Sequence, residues 1–195
     1  AARLTRRALG GPSATLWRSH TKMFERSFPA MMNELHKLDF DYADGDGYDF
    51  EPYSEFLSES ETCDWIRAGT GNDELDGAEF LVFGQDGTGG YAAFWNVRRG
   101  APLLDQPVVF LASEGNIGVV ARSFADYLWL LAGGVGPSEA IEQPNRAPAP
   151  DSVSAEFRRF AEEHAGGEQR TPNEVLSASQ HEFPEFNKHI EAMWV

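Results

Sequence analysis

Residues 79–97, EFLVFGQDGTGGYAAFWNV, are the stretch on which the prediction of the fold rests. Its two ends, residues 79–84 and 91–97, are apolar and rich in aromatic residues, which is typical of strands. Half of the six residues between them are glycine, which adopts a positive φ without steric cost and favours a tight turn. We therefore predict a β-hairpin in which one of the last two glycines has a positive φ. The predicted structural residues of the turn Gln85–Gly90 are Asp86, Gly87, Gly89 and Gly90.

Two further apolar runs follow, and both are predicted strands. The first lies near residues 107–112, and Glu114-Gly115-Asn116 separates it from the second, near residues 117–122. The linkers between consecutive strands are too short for the crossovers of parallel pairing, so the four strands should pair antiparallel in sequence order. The predicted fold class is α+β, with a four-stranded, mostly antiparallel meander sheet flanked by N-terminal and C-terminal helices.

Capping sequences predict where three of the helices begin. A Ser or Thr at the cap accepts a hydrogen bond from the first turn, and a Glu three residues later can return one. The caps are Ser58 with Glu61 before a helix from about Glu59 to Ala68, Ser123 with Asp126 before Phe124–Ala132, and Thr171 with Glu174 before the last helical region, which Pro184 divides.

The outer segments are predicted from apolar spacing and from proline. Apolar residues recur at helical spacing over residues 16–38, and Pro29 interrupts the pattern. We predict that Ser27 caps a second helix there, with Pro29 in its first turn. Residues 135–151 hold four prolines and are predicted to be a connector. A further helix is marked by Val153, Phe157, Phe160 and His164.

Length and composition are those of one globular domain. The chain has 195 residues, of which 42% are hydrophobic and 24% charged. These values exclude a disordered chain, a collagen-like fibre and a disulfide scaffold. We expect a single domain over residues 1–195 with one hydrophobic core. The residues expected in that core are Trp65, Phe94, Phe110, Val119, Phe124 and Leu128.

Cysteine content and hydropathy bear on the compartment. The single cysteine, Cys63, cannot form an internal disulfide, which favours a reducing environment. No apolar run approaches the roughly 20 residues that a membrane helix needs. The basic start at residues 1–7 is not followed by the apolar region of a signal peptide. We therefore expect a cytoplasmic protein that has no membrane partner.

The acidic residues are concentrated in one part of the chain. The formal net charge is −15, and residues 39–86 hold fifteen acids and one base, a net charge of −14. Such a field repels nucleic acid, whose binding depends on Lys and Arg, and it attracts a basic protein. The alternative interpretation is that these acids keep the protein soluble.

Residues 39–53, DFDYADGDGYDFEPY, have no helical period and are predicted to be a loop, which we term the Asp/Gly loop. Calcium loops need oxygen ligands at positions 1 and 12 and glycine at position 6. With Gly47 at position 6, Tyr42 and Tyr53 occupy positions 1 and 12, so no metal site is expected. The aromatic residues, including Tyr42 and Phe50, are either anchors for a partner or packing beneath the loop. The predicted partner-binding residues are Asp41, Asp44, Asp46, Asp49, Glu51, Tyr48 and Tyr53.

No catalytic residue and no cofactor are predicted. Gly87–Gly90 joins two predicted strands rather than a strand and a helix, and neither Lys nor Arg lies beside it, which argues against a phosphate loop. A proline interrupts the spacing of His181, Glu185 and His189, so these residues are interpreted as surface groups. Cys63 is interpreted as a small buried hydrophobe. A non-enzymatic protein is therefore expected.

The order of the central motifs resembles the SUKH superfamily, which groups bacterial immunity proteins with fungal cell-wall-synthesis regulators. The resemblance is carried by Phe83–Trp95, by Pro107–Leu111 with Ser113–Gly115, and by Val119–Leu128, which leads into a helix. It covers a core of about residues 50–134, and the segments 1–49 and 135–195, which match the superfamily poorly, are expected to be helical extensions.

The resemblance implies a binding protein rather than a catalyst. Many members of the superfamily look like immunity proteins that bind and neutralise a cognate toxin, and the acidic stretch suits a basic, nuclease-type toxin. The alternative is a small-ligand or metal-binding housekeeping module.

Overall fold

The computed structural model describes residues 26–113, 115–144 and 154–195 of the chain. In these residues the protein is α+β, as predicted, with one open five-stranded antiparallel sheet and seven α-helices. The strands follow chain order in the sheet: β1 Glu51–Pro52, β2 Phe80–Gln85, β3 Tyr91–Trp95, β4 Val108–Leu111 and β5 Ile117–Ala121. The helices are α1 Ala30–Leu35, α2 Glu59–Thr70, α3 Phe124–Ala132, α4 Pro137–Glu142, α5 Ala155–His164, α6 Pro172–Glu182 and α7 Phe186–Glu191.

Strands β2 and β3 form the predicted hairpin. They pair antiparallel, and Gly89 has φ +89°, which confirms the predicted positive φ. The buried carboxylate of Asp86 accepts hydrogen bonds from the backbone N–H groups of Thr88 (2.9 Å) and Gly90 (2.7 Å). A Cβ on Gly90 would lie 2.7 Å from Cζ of Phe110. Glycine is needed at that position because the turn packs directly against β4.

The sheet has five strands where four were predicted. The additional strand, β1, lies inside the Asp/Gly loop and pairs with Gly84 and Gln85 of β2. It is two residues long and ends in proline, so it lacks the alternating pattern by which a strand is recognised. Beyond it, the N–H groups of Tyr53 and Leu57 donate to carbonyls of β2 and continue to cover its edge.

The sheet is covered on both faces, which corrects the expectation of a single core. Successive strand residues point to opposite faces, and every residue of β4 is buried. One face packs against α1, α3, α4, α5 and α6, and the other face packs against α2 and α7. Of the six residues expected in one core, Phe94, Phe110, Phe124 and Leu128 lie on the first face, and Trp65 and Val119 lie on the second.

All three predicted caps are present. The hydroxyl of each cap residue accepts a hydrogen bond from a backbone N–H in the first turn of its helix, and two of the caps are complete capping boxes. Helix α2 ends at Thr70, and Gly71 follows with φ +70°, close to the predicted stop. Pro184 separates α6 from α7 as predicted.

Helix α1 starts differently from the prediction. Its N-cap is Pro29, and no side chain caps it, so Ser27 does not have the predicted role. Pro29 precedes the helix rather than lying in its first turn. The cap position needs extended backbone, which Pro29 supplies at φ −62° and ψ 138°. The prediction for residues 16–25 lies outside the described residues.

Part of the predicted connector is helical. Helix α4 follows Gly136 and has Pro137 in its first turn, where the fixed φ of proline favours a helix. The proline interpreted as a breaker therefore begins a helix. Residues 145–151 of the predicted connector, and Val153, lie outside the described residues. None of the described helices is long and apolar enough to cross a membrane.

Candidate partner-binding loop

The Asp/Gly loop connects α1 to the edge of the sheet and closes on itself. It carries six carboxylates and no Lys, Arg or His. The N–H of Tyr48 donates to the carbonyl of Asp41 (2.9 Å), and the N–H of Gly47 donates to the carbonyl of Tyr42 (3.0 Å). The tip, residues 41–48, is therefore a compact turn.

The backbone of the tip is strained. Ala43 and Asp44 have positive φ values of 46° and 52°, although neither is glycine. A side chain in this left-handed region costs roughly 1–2 kcal/mol per residue. A Cβ on Gly47 would lie 2.0 Å from the carbonyl oxygen of Asp41, so only glycine fits there. This conformation depends on contacts elsewhere in the loop that hold it closed.

Most of the predicted partner-binding carboxylates are at the surface. Asp41, Asp44 and Asp46 are exposed at the tip, and Glu51 is exposed on β1, where it accepts a hydrogen bond from Nε2 of Gln85 (2.8 Å). Tyr42 lies among them with 57% of its surface exposed. The structure thus brings together a negative surface and one exposed aromatic ring.

Asp49 differs from the other predicted carboxylates because it joins the loop to two other elements. Its Oδ1 accepts a hydrogen bond from the N–H of Gly87 in the β2–β3 turn (2.8 Å). Its own N–H donates to Oε1 of Glu139 in α4 (2.9 Å). Asp49 therefore anchors the loop as well as contributing charge to it.

The predicted aromatic anchors divide by burial. Tyr48 and Phe50 are buried in the core, with 3% and 6% of their surfaces exposed. Of the two interpretations of these residues, packing beneath the loop therefore applies, and not contact with a partner. The hydroxyl of Tyr48 donates to the carbonyl of Leu131 (2.7 Å), and burial raises the pKa of this tyrosine. Tyr53 is half-buried, its hydroxyl donates to Oε1 of Gln85, and burial raises its pKa to about 12. Tyr42 is the aromatic residue of the loop that remains available to a partner.

Glu139 is an anchor that the sequence prediction missed. Its side chain is buried, Oε1 receives the Asp49 N–H, and Oε2 has no hydrogen-bond partner among the described residues. Burial raises the pKa of Glu139, and the nearby charge of Asp49 adds to the rise, while backbone N–H groups oppose it. The available signal was the position of Glu139, three residues after the cap residue Gly136.

Glu139→Gln should change the pH dependence of unfolding. Because the pKa of Glu139 is raised in the folded state, its contribution to stability is present below the ordinary value of 4.5 and is lost as the pH rises through the folded pKa. Glutamine keeps an oxygen for the Asp49 N–H and has no charge to bury. The free energy of unfolding of the variant should therefore increase relative to that of the wild type as the pH rises. The slope of this difference should be at most about 1.4 kcal/mol per pH unit.

Denaturant unfolding of both proteins at several pH values from about 4 to about 7 measures this difference. Glu162→Gln, an exposed carboxylate on α5, is the matched control and should follow the wild type at every pH. Parallel profiles for Glu139→Gln and the wild type would contradict a buried charge at Glu139.

The histidines and the cysteine that the sequence analysis considered as ligands or nucleophiles have their contacts elsewhere. His189 is bonded through Nε2 to Glu79 (2.8 Å), and His181 lies on a different helix. Sγ of Cys63 lies 3.6 Å from the carbonyl of Leu75 and is half-buried. Within the described ranges, no group of three or more His, Cys, Asp or Glu residues is arranged to hold a metal ion.

The chain matches no family model, no curated protein and no solved structure.

Proposed function

We propose that this protein is a non-enzymatic, cytoplasmic binding protein of the immunity type, which neutralises a basic, nuclease-type toxin by direct binding through the Asp/Gly loop. The observation that carries the proposal is the exposed tip of that loop. There, Asp41, Asp44 and Asp46 are exposed, as is the neighbouring ring of Tyr42, and residues 39–53 include no Lys, Arg or His.

The charge of the tip suits a basic partner. A nuclease binds phosphates through Lys and Arg, so its active surface is positive. Exposed carboxylates attract such a surface and raise the association rate. The whole stretch 39–86 contributes to this field, because fifteen of its residues are acidic and one is basic.

Tyr42 and the closed shape of the tip suit tight binding. Tyrosine is enriched among residues that dominate binding energy, since it buries a large rigid surface at low entropy cost. The ring also offers a face to a Lys or Arg of the partner. Because the tip is already closed by backbone hydrogen bonds, less conformational entropy is lost when a partner binds.

The immunity role comes from the resemblance to the SUKH superfamily, which is part of the proposal. Strands β2 to β5 pair antiparallel in chain order and are followed directly by α3. This arrangement supports the proposed resemblance, because the resemblance is carried by the same succession of strands and helix.

Neutralising the tip should slow association with the partner. In a variant with Asp41→Asn, Asp44→Asn and Asp46→Asn, we expect an association rate lower by roughly tenfold or more at low salt, with a smaller change in dissociation. Raising the salt concentration should lower the association rate of the wild type towards that of the variant, since exposed charges are screened beyond about 8 Å at physiological ionic strength. Unfolding free energy should change by less than about 0.5 kcal/mol, because these side chains are exposed.

The partner is first captured from the native host with the wild type as bait, and its binding kinetics and toxic activity are then measured with each variant. The control removes the same number of charges from α5, by Glu156→Gln, Glu162→Gln and Glu163→Gln, and should bind like the wild type. Unchanged binding by the tip variant at low and high salt would contradict the proposal and move the contact surface to the sheet or the C-terminal helices. A captured partner whose activity survives binding would contradict the immunity role.

A further inference from the structure

The half-buried imidazole of His36 closes the base of the Asp/Gly loop. His36 follows the last residue of α1, and its Nδ1 lies 2.6 Å from the carbonyl oxygen of Tyr53. Because a carbonyl can only accept, Nδ1 carries the proton and donates it. Residues 37–52 lie between the two partners and include all six carboxylates of the loop. This hydrogen bond therefore joins the two ends of the candidate binding surface.

The ring is enclosed by aromatic side chains. Four phenylalanine rings lie within 6.3 Å of it, centroid to centroid, and they come from the segment before α1, from the Asp/Gly loop and from β2. Nε2 is buried and has no hydrogen-bond partner in the part of the chain that the structure describes. The four rings are Phe28, Phe40, Phe50 and Phe83.

Protonation of this ring conflicts with its surroundings. A proton on Nε2 would place a full charge and a new donor among apolar rings, where none of the described residues accepts a hydrogen bond from it. Among the described residues, the four rings around His36 carry no charge, and the titratable side chain at the contact is Tyr53, whose phenol is neutral and bonded to Gln85. Burial accordingly lowers the pKa of His36 below 6.5, although the hydrogen bond to Tyr53 opposes the shift.

We propose that His36 is a pH-sensitive latch, which holds the base of the Asp/Gly loop against the sheet when neutral and loosens α1 and the loop when protonated. The strained tip supports local opening, because its positive-φ backbone relaxes once the base is released. The latch is a property of the free protein. Its consequence, weaker binding of the partner in acid, rests on the proposed function.

The sign of the pH effect follows from the lowered pKa. The stability that neutral His36 contributes is present above 6.5 and is lost as the pH falls through the folded pKa. Glu139, at the other anchor, acts in the opposite direction because acid removes its buried charge. Loosening of the loop in acid would therefore be assigned to His36 and not to Glu139.

Hydrogen exchange measured on the free protein tests the latch. Protection of residues 37–53, corrected for the intrinsic exchange rate, should fall at least about tenfold between about pH 7.5 and about pH 5, while strands β3 and β4 change less than about twofold. Two variants cannot carry the positive charge of a protonated imidazole. His36→Phe keeps an aromatic ring at this position, and His36→Asn keeps an N–H donor for the carbonyl of Tyr53. In both, protection of the loop should be lower at neutral pH and should no longer fall in acid, because the remaining contribution of Glu139 has the opposite sign. Glu139→Gln should retain the response.

Several results would overturn the proposal. The first is equal protection of residues 37–53 in the wild type at both pH values, and the second is a loss of protection in acid that persists in both His36 variants. If neither variant folds, an NMR titration of His36 in the wild type decides, and a pKa at or above 6.5 rejects the latch. None of these measurements uses a partner. The latch and the proposed binding function can therefore fail independently.

Discussion

Replacing Phe110 with alanine is expected to lower the free energy of unfolding by about 3–5 kcal/mol. Phe110 is fully buried in β4, and its neighbours across the sheet are Ala92 on β3 and Gly118 on β5. Partners in antiparallel register point to the same face. The ring therefore fills space that these two small residues leave open, and neither can expand into the cavity that alanine would create.

Denaturant unfolding gives the size of this loss, and Phe160→Ala provides the comparison. Phe160 is half-buried on α5 at the margin of the same cluster, and its ring packs on His164 at 4.4 Å. The same truncation there should cost less than about 2 kcal/mol, because solvent and neighbouring side chains can fill the space. Equal losses for the two variants would contradict the position of Phe110 at the centre of the core.

Gly84→Ala is expected to destabilise the protein by about 1–3 kcal/mol or more through overpacking. Gly84 has an ordinary backbone conformation, but it lies opposite Pro52, where β1 pairs antiparallel with β2. A Cβ at this position would be 2.2 Å from Cζ of Phe50 and 2.9 Å from the carbonyl oxygen of Glu51. Relief requires Phe50 and β1 to move away from the sheet, so the Asp/Gly loop should lose protection from hydrogen exchange in this variant.

A double-mutant cycle with Phe50→Ala tests that explanation. In the Phe50→Ala background the ring is absent, so Gly84→Ala should cost less than it does in the wild type. Gly69→Ala is the control, because a Cβ on Gly69 meets nothing within 4 Å and this residue lies in α2. It should be neutral or stabilise the protein by up to about 1 kcal/mol. Strict additivity in the cycle would show that Phe50 is not what opposes the added methyl group.

The features predicted correctly are those that neighbouring residues determine among themselves. The hairpin at Gln85–Gly90 and its positive φ at Gly89 follow from the conformational freedom of glycine and from the hydrogen bonds of Asp86. The caps at Ser58, Ser123 and Thr171 follow from the reach of a hydroxyl to the first turn of its own helix. Short linkers were enough to predict antiparallel pairing in sequence order.

The features predicted incorrectly or missed depend on residues far apart in the chain. The division of the core between two faces depends on which helices return to each side of the sheet, and apolar content alone does not contain that information. Strand β1 exists because Gly84 leaves room for it, and its own two residues carry no strand pattern.

In the candidate site, too, some features follow from the sequence alone and others depend on residues far apart in the chain. The charge of the Asp/Gly loop and its lack of bases were determined by the sequence, since a net charge is a sum over residues. Which of its side chains reach solvent was decided by the tertiary structure. Tyr48 is drawn into the core by contacts with α3 and α5, and Asp49 is held between Gly87 and Glu139, which lie 38 and 90 residues away. Burial and long-range hydrogen bonds depend on where distant segments meet, and no local pattern specifies that position.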